Sequence, residues 1–277
     1  MVEIAKPPVV MTIAGLDPSG GAGVLADIKT IGAFACYGVA AVTSVTFQNT
    51  LEVLGARHQS TDTVRRQITA LFDDFEIGAI KTGMLPTAEI VIEVASIIKA
   101  TSVPIVVVDP VLRATTGFPL VEEGVAEALR NYLFPLASLV TPNIAEAQIF
   151  SGEEIKAFPA AQDAAELILA MGPRAVLITG GDADSDSSTD LLVDKHGSCA
   201  YSTDRIKSKN THGTGCTLAS ALACLFAKRQ TLREAIPIAK RYIVEAMLSG
   251  PGVGHGHGPL NHFPADLRAK NHKNRQL

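Results

Sequence analysis

Two kinds of stretch alternate along this chain from near the N-terminus almost to the end. Short apolar runs stand at 9–15 (VVMTIAG), 38–48 (GVAAVTSVTFQ), 79–84 (AIKTGM), 104–110 (PIVVVDP), 139–143 (LVTPN) and 175–181 (AVLITGG). Several are apolar throughout, which predicts strands covered on both faces. Between them the pattern predicts helices near 22–35, 61–74, 86–99, 119–133, 144–151 and 160–171, then near 214–228 and 231–248. Strand–helix alternation implies an α/β fold: a central, mostly parallel sheet with helices on both faces and ligands at the carboxyl ends of the strands. DLLVD and CAYSTD, around His196-Gly197, predict a late antiparallel hairpin at a sheet edge.

No internal repeat or long linker divides the chain, so one domain is expected over residues 1–277, with a core of about 9–263. GDADSDSSTD (181–190) reads as a polar surface loop and 264–277 as a flexible basic tail. The composition, 47% hydrophobic and 19% charged, is that of a soluble protein with a sizeable core. A net charge of −4 and a pI near 6.0 argue against a general nucleic-acid or anionic-membrane surface. No apolar run approaches the roughly 18 residues that span a bilayer. MVEIAKPPVV lacks the profile of a signal peptide. Four cysteines (Cys36, Cys199, Cys216 and Cys224) without a CxxC fit a reduced, cytoplasmic enzyme.

Polar residues gather where the predicted strands end: Asp17, Gln48-Asn49, Lys81-Thr82, Asp109, Thr141 to Asn143, and Thr179. The turn AGLDPSGGAGVLAD (14–27) contains G-x-G-x-x-A at Gly21, Gly23 and Ala26. A dinucleotide fingerprint needs a tighter turn and an acid closing the next strand, which here ends in Gln48 and Asn49. A Walker A loop is excluded because no Gly-Lys-Ser/Thr follows. What remains is a loop opening a helix, either a structural turn or the backing of a small ligand.

In TPNIAEA (141–147), Asn143 and Glu146 stand three apart at a helix start, a spacing that serves hydrated Mg²⁺ or helix capping equally. THGTGCT (211–217) is more specific. Its glycines admit close backbone approach, and the free N–H groups of a helix start make an anion site. Cys216 in the first turn is either a thiol whose pKa the helix lowers or a small packing residue, as Cys224 is. A Cys–His protease using His212 lacks a base on a separate element. GVGHGHGPLNH (252–262) spaces His255, His257 and His262 in a way that invites a zinc reading. Glycines between such ligands would leave the site floppy, so a mobile glycine-rich segment is expected there.

Taken in order, AGLDPSGGAG, TFQNT, KTGML, DPVL, TPNIAEA, NTHGTGCT and GHGHGPLNHF resemble the hydroxymethylpyrimidine/phosphomethylpyrimidine kinases of thiamine biosynthesis, in the ribokinase-like superfamily. The resemblance runs from about Val10 to Phe263, and since the chain ends soon afterwards no fused second enzyme is expected. It implies an ATP- and Mg²⁺-dependent kinase, commonly a homodimer, that phosphorylates 4-amino-5-hydroxymethyl-2-methylpyrimidine and then its monophosphate. It implies Cys216 as general base, with Gly213, Thr214 and Gly215 lining the anion hole. Asn143, Glu146 and Asp109 would serve Mg²⁺ and its waters, with Thr179 and Thr211 on the nucleotide phosphates. Gln48 would hold the pyrimidine, surrounded by Ala22, Asp27, Met84 and Val111.

A carboxamide such as that of Gln48 matches the donor and acceptor of an aminopyrimidine edge. One departure stands out: many relatives have Lys-Gly-Gly where this chain has Thr179-Gly180-Gly181. Arg113 is the nearest cation to replace that charge, with Lys81 next. The rival readings are a pyridoxine/pyridoxal kinase of the same superfamily, a nucleotide-binding regulator without turnover, and a dinucleotide-dependent oxidoreductase.

Overall fold

Alternation inside the strands, hidden in the sequence because both faces are apolar, decides which helix covers which face. The computed structural model describes residues 6–264 except 102, 115, 157 and 181–185; the first half of the 181–190 loop and all but one residue of the expected tail lie outside the described residues. The elements in chain order are β1 (Val9–Leu16), α1 (Gly23–Ala33), β2 (Tyr37–Gln48), β3 (Val53–His58), α2 (Thr61–Asp74), β4 (Ile77–Thr82) and α3 (Ala88–Thr101). Then come β5 (Val106–Val108), α4 (Val125–Ala128), β6 (Leu139–Val140), α5 (Ile144–Ser151), α6 (Phe158–Leu169) and β7 (Ala175–Ile178). The chain closes with β8 (Ser187–Asp194), β9 (Gly197–Asp204), α7 (Thr214–Ala227) and α8 (Leu232–Leu248).

The strands form one sheet in the order β3-β2-β1-β4-β5-β6-β7-β8-β9. From β2 to β7 neighbouring strands run parallel, while β3, β8 and β9 pair antiparallel at the two edges. Met11, Ile13, Ile80, Val106 and Val108 face α2 to α6, where Val64, Ile68, Val94, Phe150 and Ile168 meet them. Val10, Ala79 and Val107 face the other way, onto Ile31 of α1, Leu218 and Leu222 of α7, and Tyr242 of α8. Each such leucine, fully buried, stabilises the fold by roughly 1.5–3 kcal/mol. Continuous apolar strands are what two covered faces require.

Strand order reverses at β1, because α1 leads to β2 on one side and α2 crosses to β4 on the other. Loops leaving β1 and β4 therefore diverge, and the crevice between them opens at the carboxyl ends of the strands.

Three local expectations change. Strands β5 and β6 are shorter than their apolar runs, because Pro104, Pro110 and Pro142 cannot donate to the ladder. The helix expected from 119 begins only at Val125. Before it, bonds from Ala114 N to Phe118 O (2.9 Å) and from Leu120 N to Leu112 O (3.1 Å) fold a small hairpin, turned at Gly117 with φ +85°. Strand β3 was not expected at all. Its residues are mostly half-exposed, and only pairing with β2 makes them a strand. Among the described residues, no helix is long and apolar enough to cross a membrane.

Candidate active site

Cys216 sits in the first turn of α7, and the helix is anchored on all sides: nearly every residue from Thr217 to Phe226 is buried. Its N-cap, Gly213, has φ +79°, and a Cβ there would collide with the Gly21 carbonyl. Only glycine meets both demands. This contact presses the THGTG turn onto the SGGAG turn, so the two glycine-rich loops form one surface. The amides of Gly215 and Cys216, second and third in the helix, have no intrahelical carbonyl to bond. Thr214 does not join them as expected: its N–H donates to Thr211 O at 3.3 Å and its hydroxyl to the same oxygen at 2.6 Å. The anion-binding offer therefore sits one residue further on, at Gly215 and Cys216.

Beneath Cys216 lies a buried charge network. Lys81 Nζ, fully buried at the end of β4, donates to both oxygens of Asp27 (3.0 and 2.9 Å) and stands 3.6 Å from Asp109 Oδ2. Thr12 Oγ1 and Ser220 Oγ also donate to Asp27, at 2.6 and 2.8 Å. Asp27, expected near the substrate, is fully buried and surrounded by the chain's own donors as the counter-ion of Lys81. Asp109 is different. Its Oδ2 is buried with no hydrogen bond, and its Oδ1 points toward Gly215, 3.8 Å from where a Cβ would stand.

The expected lowering of the Cys216 thiol is also overturned. Burial pushes its pKa up; Lys81 draws it down, but Asp109 and Asp27 raise it further, and a bond to the Gly23 backbone offsets only part. The helix dipole acts over one turn, whereas two carboxylates sit against the sulfur's surroundings. Burial likewise raises the Asp109 carboxyl, against the pull of Lys81 and a hydrogen bond with Cys216.

Asp17, at the end of β1, gathers the other side of the site. It accepts from Ser19 N (2.8 Å), Ser19 Oγ (2.9 Å) and Ala22 N (2.9 Å), and pairs with His212 Nε2 at 2.7 Å. Burial alone would raise its pKa, but bonds from His212, Gln48 and Ser19 hold it at about 2. One carboxylate thus ties together the end of β2, the glycine-rich loop and the residue before the anion-binding turn. Gln48 is half-buried there, and the Met84 thioether packs against Gly15. Half-buried Val111 follows Asp109, its N–H bonded to the Asp109 carbonyl at 2.9 Å. Asp17 was visible in the sequence as a rim residue and His212 only as part of the anion-binding turn, and nothing local marked them as partners.

Asn143 and Glu146 form a capping box for α5: Glu146 N donates to Asn143 Oδ1 (2.9 Å), and Asn143 N donates to Glu146 Oε2 (3.0 Å). Of the two readings of this pair, capping is the one the geometry displays. Thr179 lies beside them, its N–H on Pro142 O at 2.9 Å. Among the described residues no group of three His, Cys, Asp or Glu side chains is placed to hold a metal. Arg113 is exposed on the small hairpin. Next to Gly180, Lys240 reaches in from α8 to Asp190 Oδ2 (2.7 Å), while Asp190 Oδ1 accepts from Gly180 N (3.0 Å).

The histidine-rich segment packs between Thr50 and the turn before α7. It is pinned by bonds from His257 N to Thr50 O (2.9 Å), Gly258 N to Lys209 O (2.9 Å) and His212 N to Gly258 O (3.1 Å). His262 is buried against Thr217, and burial lowers its pKa to about 4.

A sequence model of the phosphomethylpyrimidine kinase family matches residues 17–261. The chain is 43% identical over 256 residues to the thiamine biosynthesis bifunctional protein ThiED of Geobacter sulfurreducens, covering 92% of this chain but only 52% of that one. It is 40% identical over 254 residues to the hydroxymethylpyrimidine/phosphomethylpyrimidine kinase of Bacillus subtilis, covering 91% of this chain and 94% of the relative. Among solved structures it superposes on the pyridoxal kinase from Staphylococcus aureus in complex with AMP-PCP and pyridoxal. The TM-score is 0.86 at 32% identity, over 93% of this chain and 94% of the other. The α/β, ribokinase-like architecture expected from the sequence agrees with this neighbour.

Proposed function

The chain belongs to the phosphomethylpyrimidine kinase family, and from that premise and the geometry above we propose that it phosphorylates 4-amino-5-hydroxymethyl-2-methylpyrimidine with ATP and then phosphorylates the monophosphate, in thiamine biosynthesis. The observation that carries the reading is the convergence of Cys216, the Gly215 and Cys216 amides, Asp109 and Lys81 at one helix start, with Gln48 tied to the turn before it through Asp17 and His212.

Gln48 reads the ring: its carboxamide offers the acceptor and donor that complement the amino donor and ring-nitrogen acceptor of an aminopyrimidine edge, and the bond to Asp17 fixes its orientation. The amides at the start of α7 receive the transferring phosphoryl group, and a preorganised cradle of this kind stabilises charge without reorganisation. Cys216 Sγ, as the thiolate, accepts the proton of the hydroxymethyl group as that oxygen bonds to the γ-phosphorus and the bond to the ADP leaving group breaks. Burial and the carboxylates disfavour that thiolate, so it needs a balancing cation until it takes up the proton, and Lys81 supplies one. Mg²⁺ fits the site through Asp109, whose buried Oδ2 makes no hydrogen bond. When bound with ATP it supplies charge neutralisation on the phosphates. The enzyme acts in the cytoplasm as one kinase domain and as a homodimer.

The rival pyridoxal kinase reading draws on the structural neighbour. An ATP-consumption assay with the pyrimidine alcohol, its monophosphate and pyridoxal side by side decides between them. Turnover of pyridoxal alone would overturn the proposal.

A further inference from the structure

The glycine-rich segment to which the sequence assigned no chemistry connects the two ends of the site from outside. Thr50 stands at the tip of the β2–β3 hairpin, two residues beyond Gln48. Its hydroxyl accepts from His255 N (3.1 Å) and Gly256 N (3.2 Å), and its carbonyl accepts from His257 N (2.9 Å). One residue further, Gly258 is bonded to Lys209 O and His212 N, and His212 bridges Pro259 in parallel. His257 Nδ1 also lies 3.3 Å from Thr211 Oγ1. Contact is too close for side chains: a Cβ on Gly254 would stand 2.5 Å from Thr50 Oγ1, one on Gly256 would collide with Thr50 O, and one on Gly258 would stand 2.5 Å from Asn210 Oδ1. Five residues thus run as a strap from the hairpin that carries Gln48 to the turn that leads into Gly215 and Cys216.

We propose that this strap couples pyrimidine binding to nucleotide binding, and that Thr50 is its positioning residue. A hairpin that shifts to close on the pyrimidine has to carry the anion-binding turn with it or break the three bonds on Thr50. Conversely, a nucleotide that fixes residues 211–216 fixes the hairpin. The coupling rests on the reading that Gln48 holds the pyrimidine and the start of α7 the transferring phosphoryl group. Asp17 bridges the same two regions inside the site, through Gln48 and His212, so loss of the strap weakens the coupling without abolishing it.

The test is calorimetric, on the intact protein, with AMP-PCP and the pyrimidine alcohol as ligands, each titrated with and without the other. The wild type should bind the alcohol at least about fivefold more tightly with AMP-PCP present, and by linkage AMP-PCP should gain the same factor from the alcohol. Thr50→Ala removes the hydroxyl acceptor and should cut that factor at least about threefold, leaving the affinity for each ligand alone within about twofold. Thr50→Ser, which keeps the acceptor, should restore it.

No mutual effect in the wild type, or an unchanged factor in Thr50→Ala, would overturn the coupling while leaving the kinase reading intact. So would an equal loss of both affinities that Thr50→Ser does not rescue, since that marks Thr50 as a structural residue only. Failure of the wild type to bind the alcohol at all would overturn the kinase reading and the coupling with it.

Discussion

Replacing Lys81 by methionine tests the charge network on which the site is built. The ammonium is fully buried and holds both oxygens of Asp27 at 2.9–3.0 Å, with Asp109 Oδ2 at 3.6 Å. Methionine nearly fills the same volume, so little of the cost comes from a cavity. What is lost is the ammonium that faces two buried carboxylates, and breaking one partner out of a buried pair costs about 3–5 kcal/mol. At roughly 2–4 °C per kcal/mol for a chain of this size, the melting temperature should fall by about 10 °C at pH 7.

The signature that separates electrostatics from packing is a second substitution. Asp27→Asn in the Lys81→Met background removes the nearer of the two charges left behind, keeps an acceptor for one of Thr12 and Ser220 and donates to the hydroxyl oxygen of the other, and should recover most of the loss. The recovered protein still lacks the cation that balances Cys216, so kcat for the pyrimidine alcohol should remain well below wild type even though the fold is restored. Thermal melts and initial rates on the single and double variants provide both readings. If Lys81→Met melts within about 2 °C of wild type, or the double variant is no more stable than the single, the buried-pair reasoning fails.

Cys216→Ala should depress phosphorylation of the alcohol at least tenfold more than that of the monophosphate, compared by kcat/KM. A general base is worth roughly 10²–10⁴-fold for an alcohol, and a phosphate acceptor is already largely anionic. Equal losses on both acceptors would make the residue part of the cradle only. Gln48→Leu should weaken pyrimidine binding by about 1–3 kcal/mol while leaving AMP-PCP binding unchanged in calorimetry, since an unpaired ring edge is costly in a closed pocket. His262, held at about 4 by burial with Lys29 nearby, is bound neutral, so its contribution to stability is complete above the unfolded value of 6.5 and is lost as pH falls from there toward 4. About 3 kcal/mol should disappear over that window in denaturant titrations, and His262→Gln should flatten the slope.

Much of this molecule is local and therefore legible in sequence. The strand–helix alternation, the late hairpin at one edge and the first turn of α7 all follow from runs of apolar residues and from glycines at turns, which act over a few neighbours. The Asn143–Glu146 box is of the same kind, three residues apart, and its spacing offered capping as one of two readings. Strand β3 escaped because an edge strand with one half-exposed face carries no strong pattern, and its partner defines it.

Charge is where only the tertiary structure decides. Asp27 looked like a pocket residue until Lys81, 54 residues away, and Ser220, 193 away, arrived at its carboxylate. His212 finds Asp17 across 195 residues. The sulfur of Cys216 reverses its expected shift because desolvation and two distant carboxylates outweigh the turn it sits on. The histidine-rich segment looked loose because its glycines were read by themselves; at Gly254, Gly256 and Gly258 they are there because Thr50 and Asn210 leave no room for a Cβ. Periodicity records which residues are buried. The partner that each buried polar group meets is set by how helices and loops far apart in the chain converge on the sheet, and electrostatic energies depend steeply on those distances and on the exclusion of water.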